Sequence, residues 1–192
     1  LKGMVCTRSG SHPYNLSLFS TIVERLGDQK GEAWLKGVVH NLARAPKGGD
    51  THQIKGVASG ECGVALTNTY YIARLVKSDK AEDKAVMSKL KVMFPNQGTS
   101  GTHVNIAGAG VAKHAKNRDN AIAFMEFLSS PYAQDYFANG NNEFPTVKGL
   151  KIDNPAIKAI GGDSFKAETV PLGVVAKNMT KVQQMLDRVG YK

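Results

Sequence analysis

The stretch Gly63–Arg74 sets two kinds of pattern side by side without a spacer. Gly63-Val64-Ala65-Leu66 is a short apolar run that reads as a buried strand. Tyr71-Ile72-Ala73-Arg74-Leu75-Val76 reads as a helix, with Asn68 or Thr69 as its N-cap. A strand that passes directly into a helix is the building step of an α/β architecture, and similar successions recur along the chain. Met4-Val5-Cys6-Thr7 is a second strand, running through the polar turn Arg8–His12 into a helix that Pro13 opens at its first position. The apolar stripe Leu16, Phe19, Val23, Leu26 has helical spacing, and Gly27 ends it.

Further helices are expected through Trp34–Leu42, from an Asp50 or Thr51 cap through Ala58, over about Lys80–Leu90, through Ala121–Leu128, from Pro131, and through Val182–Val189. His103–Gly108 reads as another strand, entered through the Gly/Ser/Thr-rich crossing Gln97–Thr102. Asn139–Asn142 and Gly161-Gly162 read as turns. No repeat or low-complexity tract interrupts the 192 residues, a length that suits one domain or two small lobes.

Tyr70 and Tyr71 are two of only six tyrosines. In a regular strand or helix neighbouring side chains diverge. At a strand-to-helix junction the backbone turns between them, and both phenols can converge. The helix N-terminus favours a phenolate there, and Arg74, one turn on, adds to the effect. Two phenolates suit a hard, highly charged cation such as ferric iron. The same dipeptide also describes two half-buried aromatics with wet hydroxyls. A second candidate lies at Ser9-Gly10-Ser11, where small residues before a helix leave backbone N–H groups for an anion or for an ordinary cap. Tyr14 in that helix's first turn offers a third phenolate, with Arg8 beside it to neutralise an anion.

Other chemistries find less support. Lys and Arg outnumber Asp and Glu by 25 to 16, a net charge of +9. The lysines are dispersed, so a solvated basic surface is favoured over nucleic-acid binding. No apolar run approaches the length of a membrane span. Ile106–Lys113 imitates a dinucleotide fingerprint, but Lys113 stands where glycine or alanine is needed. Gly56–Gly60 places its serine one position late for a nucleophile elbow. The histidines lack metal-ligand spacing, and no nucleophile–base pair stands out, so no enzyme is expected. Cys6 and Cys62 either pair, in an oxidising compartment, or remain two buried thiols.

Taken in order, Arg8-Ser9-Gly10-Ser11-His12-Pro13-Tyr14-Asn15, Gly60–Tyr71 and Asn142-Glu143-Phe144-Pro145 resemble the bacterial periplasmic ferric-iron-binding proteins of ABC importers. The resemblance covers nearly the whole chain. It implies a type II periplasmic-binding-protein fold, α/β, with two lobes joined by crossing strands and the ligand in the cleft. It implies Tyr14, Tyr70 and Tyr71 as ligands of Fe(III). It further implies Arg8, Ser9, Gly10, Ser11 and Asn68 as the site of a synergistic anion such as carbonate or phosphate. The implied partner is an inner-membrane ABC permease, and the implied location is the periplasm, without nucleic acid and without embedding in the membrane. Three phenolates balance a 3+ ion, and affinity should fall as protons compete at lower pH.

Members of that family carry a further amino-terminal segment on the order of a hundred residues, the size of a small domain. It forms most of their first lobe, which is therefore expected to be largely missing here and supplied, if at all, by a separate piece. The expected division is residues 1–100 as the second lobe, 101–151 returning to the first, and 152–192 packing back on the second. Phe124 and Phe127 would then lack partners. The competing readings are the same scaffold carrying another oxyanion or an organic ligand, and a basic nucleic-acid-binding domain.

Overall fold

A computed structural model describes residues 1–151 and 153–192. The division expected at residue 152 falls on Ile152, outside the described residues. Helix dominates: β1 (Val5–Cys6), α1 (Pro13–Leu26), α2 (Asp28–His40), α3 (Asp50–Ala58), β2 (Val64–Ala65), α4 (Thr69–Lys77), α5 (Ala81–Met87), α6 (Arg118–Leu128), α7 (Pro131–Asn141), α8 (Pro155–Ala159) and α9 (Leu172–Val189). The expected strand–helix succession survives at β1–α1 and β2–α4. The two strands pair in parallel, Val5 opposite Val64 and Cys6 opposite Ala65, which sets the two strand-to-helix turns next to each other.

The expected strand over His103–Gly108 does not form. Val104 and Ile106 are exposed, and the crossing is reduced to Thr102 against Ala167. There the Thr102 N–H donates to Lys166 O and the Glu168 N–H to Thr102 O, each at 2.8 Å. A strand needs a neighbour for its backbone groups, and past Thr102 the described residues supply none. The turn expected at Asn139–Asn142 is instead the end of α7, which runs to Asn141. Asn142 takes the left-handed conformation (φ 61°), one that asparagine tolerates, and closes the helix on Phe137 O.

Helix ends otherwise follow the local chemistry. His12 caps α1, its Nδ1 accepting from the Tyr14 N–H, with Pro13 following. Gly49, rather than Asp50 or Thr51, precedes α3, and its N–H is accepted by His52 Nδ1. That leaves the Asp50 carboxylate free to turn inward.

Two apolar clusters hold the elements. In the first, Phe19 and Val23 of α1, Leu35 of α2, and Val182, Met185 and Leu186 of α9 pack with Tyr191. In the second, Ile54 of α3, Ile72, Ala73 and Leu75 of α4, and Ala156, Ile157 and Ile160 around α8 pack together. Fully burying each Val, Leu, Ile, Phe or Met among them contributes about 1.5–3 kcal/mol. The first cluster anchors α1 and the second anchors α4, with Leu66 packed against the former and Tyr71 against the latter. α6 buries none of its residues and packs on α7, leaving Phe124, Phe127, Tyr132 and Tyr136 exposed.

Candidate metal centre

The first turns of α1 and α4 face each other. The Tyr14 and Tyr70 hydroxyl oxygens are 2.7 Å apart and share a hydrogen bond. Tyr70 and Tyr71 do not straddle a junction as expected, because both lie in the first turn of α4, which Asn68 precedes. They converge all the same, with ring centroids 4.4 Å apart at 31°. The reason is the direction of helical side chains, which lean toward the N-terminus; on the first turn no earlier residue blocks them. Arg74 lies over both rings, 5.3 Å from each centroid, as its spacing suggests.

On the other side Arg8 lies 5.0 Å from the centroid of the Tyr14 ring. Asn15 holds the turn above it, its amide donating to Thr7 Oγ1 and to the carbonyls of Arg8 and Ser9 at 2.9–3.0 Å. Ser9 and Ser11 join their hydroxyls at 3.0 Å. Gly10 is occupied otherwise. Its N–H donates to Lys192 O, and a Cβ there would lie 2.7 Å from a ring carbon of Tyr191. Its glycine is thus required by the close approach of the carboxy-terminal residues.

The phenols are electrostatically unequal. Burial pushes Tyr70 strongly up, and its hydrogen bonds with Tyr14 and Tyr71 push the same way, against a smaller pull from Asn68. Burial also pushes Tyr71 up, but hydrogen bonds from Tyr70, Tyr14 and Arg8 outweigh it and leave Tyr71 below the ordinary phenol value. Tyr71 is therefore the first of the pair to lose its proton. Burial, with Arg8 nearby, also holds His12 below the usual imidazole value and so neutral.

Asp50 is the residue that sequence reasoning missed. Its side chain is 2% exposed. It accepts from Arg8 Nη1 at 2.8 Å, from Thr67 Oγ1 at 3.2 Å and from the Asn68 N–H at 2.6 Å. Helix-start chemistry made it look like a cap, and no local pattern signals a carboxylate that reaches Arg8 and Asn68 together. Cys6 and Cys62 form a disulfide. They group with Glu61 as possible metal donors, but their sulfurs are bonded to each other and offer no thiolate.

With this geometry in view, the comparisons with known proteins are specific. The family described as bacterial extracellular solute-binding protein matches residues 1–159. The chain belongs to that family. This solute-binding protein is 42% identical to iron uptake protein A2 of Synechocystis over all of its own length and 55% of the relative's. It superposes on the ferric binding protein from Campylobacter jejuni with a TM-score of 0.93 at 38% identity, covering 100% of this chain and 60% of that one. With the Trichodesmium protein IdiA (FutA), solved in complex with iron and citrate, the TM-score is 0.90 at 46% identity, over 100% of this chain and 60% of that one.

The chain spans just over half the length of the curated relatives it matches. The resemblance to ferric-iron-binding periplasmic proteins is borne out, and the family is one of binding proteins rather than enzymes. Of the expected type II fold, the periplasmic-binding-protein likeness holds, as a partial chain that is mostly helical with a small sheet. Among the described residues no helix is long and apolar enough to cross a membrane.

Proposed function

We propose that this solute-binding protein takes Fe(III) as cargo through the phenolates of Tyr14, Tyr70 and Tyr71 and delivers it, in the periplasm, to an inner-membrane ABC permease. The observation that carries the reading is the meeting of the Tyr14 and Tyr70 oxygens at 2.7 Å beside Tyr71. Three hard oxygen donors at one point, each able to become an anion, match a hard trivalent cation in type and in charge. The proton shared by Tyr14 and Tyr70 must leave when metal enters, so protons compete with iron and affinity falls with falling pH. In this reading Arg8, Ser9, Ser11 and Asn68 line the place of a synergistic carbonate or phosphate. Gly10 contributes by letting the turn close on Tyr191. Residues 1–100 and 152–192 form one lobe, and 101–151 return toward the other.

The test is the visible spectrum of the purified protein titrated with ferric citrate. The expected outcome is a phenolate-to-iron charge-transfer band that disappears in the Tyr70→Phe/Tyr71→Phe variant. Equal iron binding in the native and doubly substituted proteins would remove the assignment.

A further inference from the structure

Asp50 is buried in a place where an isolated carboxylate would be costly, and three donors from two different elements converge on it. One of them, Arg8, approaches from the β1–α1 turn that leads to Tyr14. The other two, the Thr67 hydroxyl and the Asn68 backbone N–H, belong to the turn that leads to Tyr70 and Tyr71. The strands beneath these turns contribute a pairing only two residues long, and this leaves much of their relative placement to side chains. Arg8 in turn depends on Asp50. Its Nε is buried with no acceptor among the described residues, and its Nη1 is taken by the carboxylate.

Resting on the function proposed above, we propose that Asp50 is a positioning residue of the iron site, a buried carboxylate that locks Arg8 and the start of α4 into one arrangement and so sets where the three phenol oxygens meet. It does not touch the metal. It acts through Arg8, Thr67 and Asn68, as outer partners of metal ligands do when they orient the donors. The carboxylate is suited to this because it offers two oxygens: Oδ1 serves Arg8, and Oδ2 serves Thr67 and Asn68. An asparagine in the same place keeps one acceptor and turns an N–H₂ toward donors.

The experiment titrates ferric citrate into the full chain as native protein, Asp50→Asn, Arg8→Gln and the double variant, reading affinity and the position of the charge-transfer band. Thermal melts run alongside to confirm folding. Asp50→Asn is expected to weaken iron binding by about 10–100-fold and to move the band. The double variant is expected to lose less than the two single losses combined. Native-like affinity with an unmoved band in Asp50→Asn, or losses that simply multiply in the double variant, would overturn the role. Should Asp50→Asn fail to fold, Asp50→Glu keeps the charge but pushes the carboxylate out by one methylene. A folded Asp50→Glu protein that binds iron as the native one does would overturn the proposal equally. Absence of any band in the native protein would instead strike the iron reading itself, leaving the two failures distinguishable.

Discussion

Tyr191 packs its ring on Phe19 and on the space that Gly10 leaves open. Burial pushes its phenol up to about 12, against a lesser pull from Thr7. The native state therefore keeps a proton that the unfolded chain releases near pH 10. The stability tied to this group is complete below about pH 10 and is lost as the pH climbs to about 12, at which point the native state also ionises. Tyr191→Phe should flatten the alkaline limb of a stability–pH profile by about 2–3 kcal/mol, measured by urea unfolding between neutral and strongly alkaline pH. Tyr191 touches α1 through Phe19 and the turn before it through Gly10, so the substitution reads the scaffold beneath Tyr14.

Among the elements, β1 is tied to the turn just before β2 by the Cys6–Cys62 disulfide, across a sequence separation of 56 residues. Constraining a loop of that size in the unfolded chain stabilises the fold by roughly 4 kcal/mol. Reduction, or Cys6→Ser/Cys62→Ser, should lower the thermal midpoint accordingly and be read by calorimetry with and without reductant. Helices with a strong local signal were legible in the sequence. Pro13 after His12, Gly27 after Leu26 and Pro131 after Ser130 punctuate α1 and α7 where the structure does. The stretch His103–Gly108 was not, because a strand exists only if a neighbour takes its hydrogen bonds, and alternation of apolar residues cannot report that neighbour. In the candidate site, the gathering of Tyr14, Tyr70 and Tyr71 was foreshadowed by their places at helix starts and by resemblance. Asp50 was hidden because its meaning lies in Arg8 and Asn68, 42 and 18 positions away in sequence.

The molecule as a whole is lopsided. One side is built on the two apolar clusters, whereas α6 and α7 present Phe124, Phe127, Tyr132 and Tyr136 at 47–72% exposure. These rings lie together and offer one apolar face to water. The chain should bind a hydrophobic fluorescent dye there, and Phe124→Ser/Phe127→Ser should reduce that fluorescence while stability changes by less than about 0.5 kcal/mol per site, as for exposed positions generally. α7 is nonetheless fastened to the site helix, because Arg74 and Lys77 of α4 donate to Asn141 and to the Asn139 carbonyl. The packing of α1 and α2 on α9 has a consequence for how the chain is made. Phe19 and Leu35 share their cluster with Val182, Met185 and Leu186 of α9, which follow much later in the chain. On the ribosome, at about 5–20 residues per second, these side chains are exposed for on the order of ten to thirty seconds before their partners emerge. The first cluster is thus completed late in synthesis, and α1 and α2 keep an apolar face open until α9 arrives.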